Sequence, residues 1–299
     1  MRRLLFISLC LLSLSTQAQS LLWRISGNGL AKPSYLFGTY HILRDSYLKG
    51  DSLTRAHFEQ AEGVVVEMVF DTTERAKVIQ FSTMPDNNLI RLINANDYKL
   101  VADEFNAVTG QELSFYNQIK PVIIATALST AYARRESDTL TRFTGQPIDL
   151  FFVRQTQAAK KPLLGLETLE EQLKLLYDRQ PVEQQANQLV QMVKHHNETT
   201  TRKGPGLTDM YLKANLDGMW DLFQRESDSP ADLYKLVDDR NVRWMSQLRT
   251  IMAVRSTFIA VGAGHLPGPN GLLKLLREAG YTVEAIRNKE AEPDLARVK

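Results

Sequence analysis

The chain has 299 residues, with 36 Lys and Arg against 34 Asp and Glu, a net charge of +2. That near balance excludes the clustered basic footprint of a nucleic-acid binder. The lone cysteine, Cys10, excludes a disulfide framework, so stability rests on a packed core.

Met1-Arg2-Arg3, then the apolar Leu4 to Leu14, then polar small residues through Ser20, has the layout of a secretory signal peptide. The apolar run is shorter than the roughly 20 residues a spanning helix needs. Cleavage after Ala18 is expected, giving a signal peptide at 1–18 and one domain at 19–299, without a stable membrane anchor and periplasmic or secreted. Cys10 leaves with the signal, which removes thiolate chemistry from the mature chain. Leu9 before it does not suit lipoprotein cleavage. No later segment is long and apolar enough to cross a bilayer.

Five segments read as strands: Ser34 to Gly38, Gly63 to Phe70, Lys161 to Leu166, Thr257 to Gly262 and Tyr281 to Ile286. Their apolar runs are continuous rather than alternating, as expected of strands covered on both faces. Helices are expected over Asp51 to Glu62, Asn88 to Val108, Lys120 to Ala133, Pro147 to Ala159, Leu169 to Tyr177, Val182 to Asn197, Leu233 to Val254 and Gly271 to Ala279. Pro121 suits a first helical turn, and Gly280 suits a helix stop. The fold class is therefore α/β: a mixed or mostly parallel sheet flanked by helices, with a large helical insertion.

Two segments share one design. Phe37-Gly38-Thr39-Tyr40-His41 and Val261-Gly262-Ala263-Gly264-His265 each run from an apolar strand through glycine to histidine. The glycine would let the chain turn off the strand, presenting the imidazole at the strand's C-terminal edge, where open α/β sheets bind ligands. The bland alternative is two hydrogen-bonded loop histidines. Glu67 interrupts a β-branched strand, and a carboxylate there is costly unless paired or bound to metal. A solvent-facing edge glutamate, or one paired with a core arginine, is the alternative. Two histidines and a carboxylate (His41, Glu67 and His265) form a ligand set for Mn²⁺, Co²⁺, Fe²⁺ or Zn²⁺, and such an ion makes hydroxide available near neutral pH.

Glu167, at another strand end, reads as a general base, a supporting partner, or a helix-start carboxylate. Arg240 and Asn241 precede the second histidine loop and could orient substrate or Glu67, or form a solvated face. Asp149 and Lys120 are explained equally well by structural ion pairing. His57, His195 and His196 lie in polar helical stretches and are read as surface residues. His-Glu-x-x-His, Gly-x-Ser-x-Gly and the glycine-rich phosphate and dinucleotide motifs are absent.

Ser34 to His41 resembles the opening motif of the TraB/GumN family, to which the animal Tiki proteases are related. The likeness continues through Glu67, Lys120-Pro121, Ile148 to Phe151, Gly165 to Thr168 with Gln172, Arg240-Asn241, Gly262 to His265 and Gly271 to Leu273. Two departures stand out: Tyr40 replaces a small or aliphatic residue, and Gly145-Gln146-Pro147-Ile148-Asp149 carries an extra Gln-Pro. The resemblance implies an erythromycin-esterase/ChaN-like fold. It also implies a metal site of His41, Glu67 and His265, with Mn²⁺ or Co²⁺ supporting peptidase activity as in the Tiki branch. The expectation is an exported metal-dependent hydrolase acting on a peptide or protein, with Glu67, Glu167 and Arg240 in the catalytic machinery. The alternatives are a binding or regulatory protein using the same cleft, and a metal-independent esterase with histidine as base.

Overall fold

The computed structural model describes residues 19–69, 72–198, 206–227 and 229–287. The expected signal peptide and Phe70, the expected last residue of its strand, lie outside them. Six strands form one sheet: β1 (Leu22–Ser26), β2 (Ser34–Thr39), β3 (Gly63–Met68), β4 (Leu163–Glu167), β5 (Thr257–Gly262) and β6 (Thr282–Ile286), in the order β4-β3-β5-β2-β1-β6. The pairs β4-β3, β3-β5 and β5-β2 are parallel, and β1 runs antiparallel to both β2 and β6. The continuous apolar runs of β2, β3 and β5 are explained by this order, because all three are interior strands. β1 was not anticipated. Its five residues alternate imperfectly, and it is a strand because β2 and β6 pair with it on either side.

Phe37, Phe58, Phe152 and Phe258 knit the sheet to the helices Ser52–Gln60 and Ile148–Ala158, with ring centroids 5.1–6.2 Å apart. Trp244 and Leu248 of the helix Asp239–Val254 join the same buried cluster. A second apolar cluster lies in the helical insertion. It draws on Ala95–Thr109, Pro121–Glu136 and, from beyond β4, Val182–Glu198, with Val101, Phe105, Leu128 and Leu189 at its centre.

The expected helix Asn88 to Val108 is two helices, Leu89–Leu92 and Ala95–Thr109. The break falls at Asn94, whose side chain caps Asp97 N–H, an interaction that competes with continuing the helix. The helices Arg75–Ser82, Leu207–Leu212 and Leu216–Glu226 were also unanticipated. The helix expected from Leu233 starts earlier, with the α-helical turn Pro230–Leu233, and a π-helical turn, Tyr234–Asp238, separates this from Asp239–Val254. No helix among the described residues is long and apolar enough to cross a membrane.

Candidate active site

Four parallel strands deliver side chains to one edge of the sheet. β3 ends beside Glu67, β4 ends at Glu167, and the chain leaving β2 and β5 reaches His41 and His265. In the β2-β5 register Gly38 lies opposite Val261 and Thr39 opposite Gly262, so the two histidine loops emerge side by side.

The two strand-end glycines do something other than relax the backbone. Gly262 has φ −52°, open to any residue, and Gly38 is not among the positive-φ glycines. What both positions exclude is a side chain. A methyl group on Gly38 would lie 3.0 Å from Ala263 Cα, where the loops touch. A methyl group on Gly262 would sit 3.1 Å from Glu67 Oε1 and 3.7 Å from both His41 Nε2 and His265 Cδ2. The three expected ligand residues therefore surround one small space that a side chain would fill.

His265 is buried, and its tautomer follows from its neighbours. Asn241 Nδ2 donates to the carbonyls of His265 and Asn270, which turns Asn241 Oδ1 toward His265 Nδ1 at 2.8 Å. Nδ1 must then carry the proton, leaving the Nε2 lone pair free to accept. Burial holds the ring's pKa down at about 4, so it is neutral.

His41 is anchored by Asp149, the first-turn acid of Ile148–Ala158, whose Oδ2 lies 3.0 Å from His41 Nδ1. Thr39 Oγ1 donates to the other carboxylate oxygen. The Asp149 charge, with its hydrogen bond, outweighs burial and raises the His41 pKa to about 9. The His41 side chain is 71% exposed, so water damps that shift. The departure at Gln146-Pro147 has a use here. Pro147 bridges to Arg44, Gln146 O accepts from Asp45 N–H, and Ile148 N–H donates to Leu43 O, which ties Asp149 to the His41 loop.

Glu67 accepts from Gly262 N–H at 2.7 Å, from Arg240 Nη2 at 2.6 Å and from Gln172 Nε2 at 3.3 Å. Burial pushes its pKa up, but the charges of His265, Arg240 and His41 and the Gly262 N–H outweigh it and leave the pKa at about 2. The pairing is with a core arginine, as one reading of the sequence had it, and β3 is not an edge strand.

Arg240 is saturated. Nε and Nη2 grip Glu167 at 2.9–3.1 Å, Nη2 also reaches Glu67, and Nη1 donates to Leu236 O and His265 Nε2, both at 3.1 Å. A guanidinium has five N–H groups, and these contacts use all of them. Arg240 therefore positions Glu67 and His265 and has no donor left for a substrate. Burial opposes its charge, but the Glu167 and Glu67 carboxylates more than offset this and raise its pKa. Glu167 lies behind it, buried, with Trp244 Nε1 donating at 3.1 Å, and does not line the cleft. Its place supports the partner reading over the general-base reading.

Other sequence candidates lie elsewhere. Lys120 pairs with Asp178. His57 and His196 are half-buried, stacked on Tyr35 and Tyr132 at 4.3 and 3.5 Å, so neither is the free surface residue expected. Asp149 is the site residue whose role the sequence reading missed. Its signal was a carboxylate in a helix's first turn, which fits many structural ion pairs equally well.

The arrangement suits a cation by its donors. Both Nδ1 atoms are held by a polar partner, the usual outer support of a ligating histidine. Near neutral pH Glu67, Glu167 and Asp149 set three negative charges against Arg240 and a protonated His41, with His265 neutral, so the cluster keeps a net negative charge that deepens when His41 gives up its proton. Among the described residues no three His, Cys, Asp or Glu side chains already stand as a ligand cluster, and Arg240 currently engages His265 Nε2.

The TraB/PrgY/gumN family model matches residues 21–285. No curated protein and no solved structure matches the chain. With its match spanning both histidine loops and every strand up to β6, this chain belongs to the TraB/PrgY/gumN family.

Proposed function

We propose that this chain is an exported, metal-dependent hydrolase acting on peptide bonds, with His41, Glu67 and His265 holding a divalent ion, Mn²⁺ or Co²⁺ foremost and Zn²⁺ third. The observation that carries this reading is the space at Gly262, within 4 Å of Glu67 Oε1, His41 Nε2 and His265 Cδ2. Donor identity, fixed tautomers and net negative charge all suit a divalent cation there. The bound ion supplies polarisation of a carbonyl oxygen and acidification of water. The protein's own groups do the rest. Asp149 holds the His41 ring with Nε2 toward the cleft, and Asn241 does the same for His265. Glu67 stays ionised as a ligand or as the acceptor of a water proton, oriented by Gly262 N–H and Arg240. Glu167 keeps Arg240 in place.

Elemental analysis and calorimetry on residues 19–299 with Mn²⁺, Co²⁺ and Zn²⁺, wild type beside His41→Ala/His265→Ala, test this. Stoichiometric binding lost in the double variant is expected. A folded wild type that binds none of the three ions removes the reading.

The runner-up is a binding protein without turnover. The Arg240 contact to His265 Nε2 favours it, since that lone pair is already engaged. A binder keeps ligand affinity in His41→Ala, whereas a hydrolase loses turnover by orders of magnitude.

A further inference from the structure

We infer that the cleft over His41, Glu67 and His265 contains a specificity pocket for an uncharged, apolar side chain beside the scissile bond, formed by Phe223, Leu236 and Val237. This rests on the hydrolase reading. The cleft has a volume of about 400 Å³, within the range of small-ligand pockets. Its floor is polar: His41, Glu67, Arg240 and His265. One wall is different in kind. Phe223 of the helix Leu216–Glu226 and Leu236 and Val237 of the π-helical turn face the cleft half-buried, and the more deeply buried Met219 and Leu233 line it with them.

Two features tie this wall to the floor. A methyl group on Gly264 would meet the Phe223 ring at 2.8 Å, so the glycine of the second histidine loop is what lets that ring lie against it. The π turn presents Leu236 and Val237 while its Leu236 carbonyl accepts from Arg240 Nη1, the group that also contacts Glu67 and His265 through the same guanidinium. Single π turns within helices concentrate at functional sites. The wall carries no charge; the charged cleft residue on this side is Glu226, near the end of its helix. An acidic substrate side chain against Phe223 and Leu236 would lose water and meet only apolar surface and the Glu226 carboxylate, whereas an aliphatic or aromatic one would cover apolar surface.

The test uses residues 19–299 with Mn²⁺ and quenched fluorescent peptides differing at one position: Leu, Phe, Ala, Asp or Lys. At the favoured position, Leu and Phe peptides should exceed Ala in kcat/KM by about tenfold or more, and Asp further. Phe223→Ala should shrink the Leu-to-Ala ratio, and Leu236→Asp should shift preference toward Lys. Wild-type turnover with no such preference overturns the pocket and leaves the hydrolase reading standing. The wild-type profile decides this even where a variant misfolds. Should no peptide turn over, calorimetry with the Leu and Asp peptides on the wild type separates the cases. Binding of Leu alone removes the hydrolase and keeps the apolar wall only as a side-chain subsite of a peptide-binding cleft. Equal or no binding overturns both.

Discussion

The sheet body and the helical insertion are built by opposite rules. The insertion's core comes from helices whose apolar positions recur at helical spacing, and no residue of the candidate site belongs to it. The body gathers a charged site at the ends of its parallel strands, with Glu167 and Arg240 packed against Trp244 and Glu67 bonded to Arg240, at one end of an apolar sheet. The contrast shows where burial is cheap and where it is constrained: an apolar helix face tolerates repacking, while a buried ion cluster depends on every partner being present.

The sharpest test of that contrast is catalytic. His41→Ala should lower turnover by about 10²–10⁴-fold in steady-state assays while lowering the urea midpoint only slightly, since the side chain is largely exposed and its pairing with Asp149 is damped by water. No change in Leu189→Ala turnover, measured alongside, would confirm that the insertion is remote from the chemistry.

Next in size are two stability effects. Arg240→Leu leaves two buried carboxylates facing each other and should destabilise the fold by about 3–5 kcal/mol in urea unfolding. Leu189→Ala, in the insertion core, should cost about 2–5 kcal/mol. Hydrogen exchange then distinguishes the regions: Leu189→Ala should accelerate amides of Ala95–Thr109 and Pro121–Glu136 ahead of β2, β3 and β5. Uniform acceleration would show that the two cores unfold as one.

A gentler effect follows from pH in the metal-free protein. His265 has its folded pKa depressed to about 4 from 6.5, so the unfolded chain takes up its proton first and stability falls as pH drops from 6.5 toward 4. Glu67, depressed to about 2 from 4.5, extends the loss below pH 4.5. His41 is raised to about 9, so its contribution is full below 6.5 and disappears as pH rises through 9, damped by its exposure. Urea midpoints should therefore peak near neutral pH. Because a protonated His41 competes with an ion, Mn²⁺ affinity by calorimetry should strengthen as pH rises toward 9. The smallest effect belongs to the insertion's surface. Asp103→Asn removes an exposed pair with Lys99 and should change stability by less than about 0.5 kcal/mol.

The family, the α/β class, five strands and the long helices are legible in the chain because each rests on local information: apolar runs, helical periodicity, Gly and Pro punctuation, and the two matched Gly-x-x-His segments. The helix break at Asn94 was legible too, in a capping residue passed over. What only the tertiary structure decided is how charges meet across distance. Glu67, Glu167, Arg240 and His265 come from separate strands and a helix, and Asp149 reaches His41 from the helix at Ile148–Ala158. No local pattern shows whether a carboxylate in a β-branched strand ends on a metal ion or a guanidinium, because both satisfy the same burial penalty. Nor does spacing reveal that the strand-end glycines are needed for the room they leave rather than for their backbone angles. That difference is set by the parallel register of β2 and β5, which brings two loops separated by more than two hundred residues to the same few ångströms.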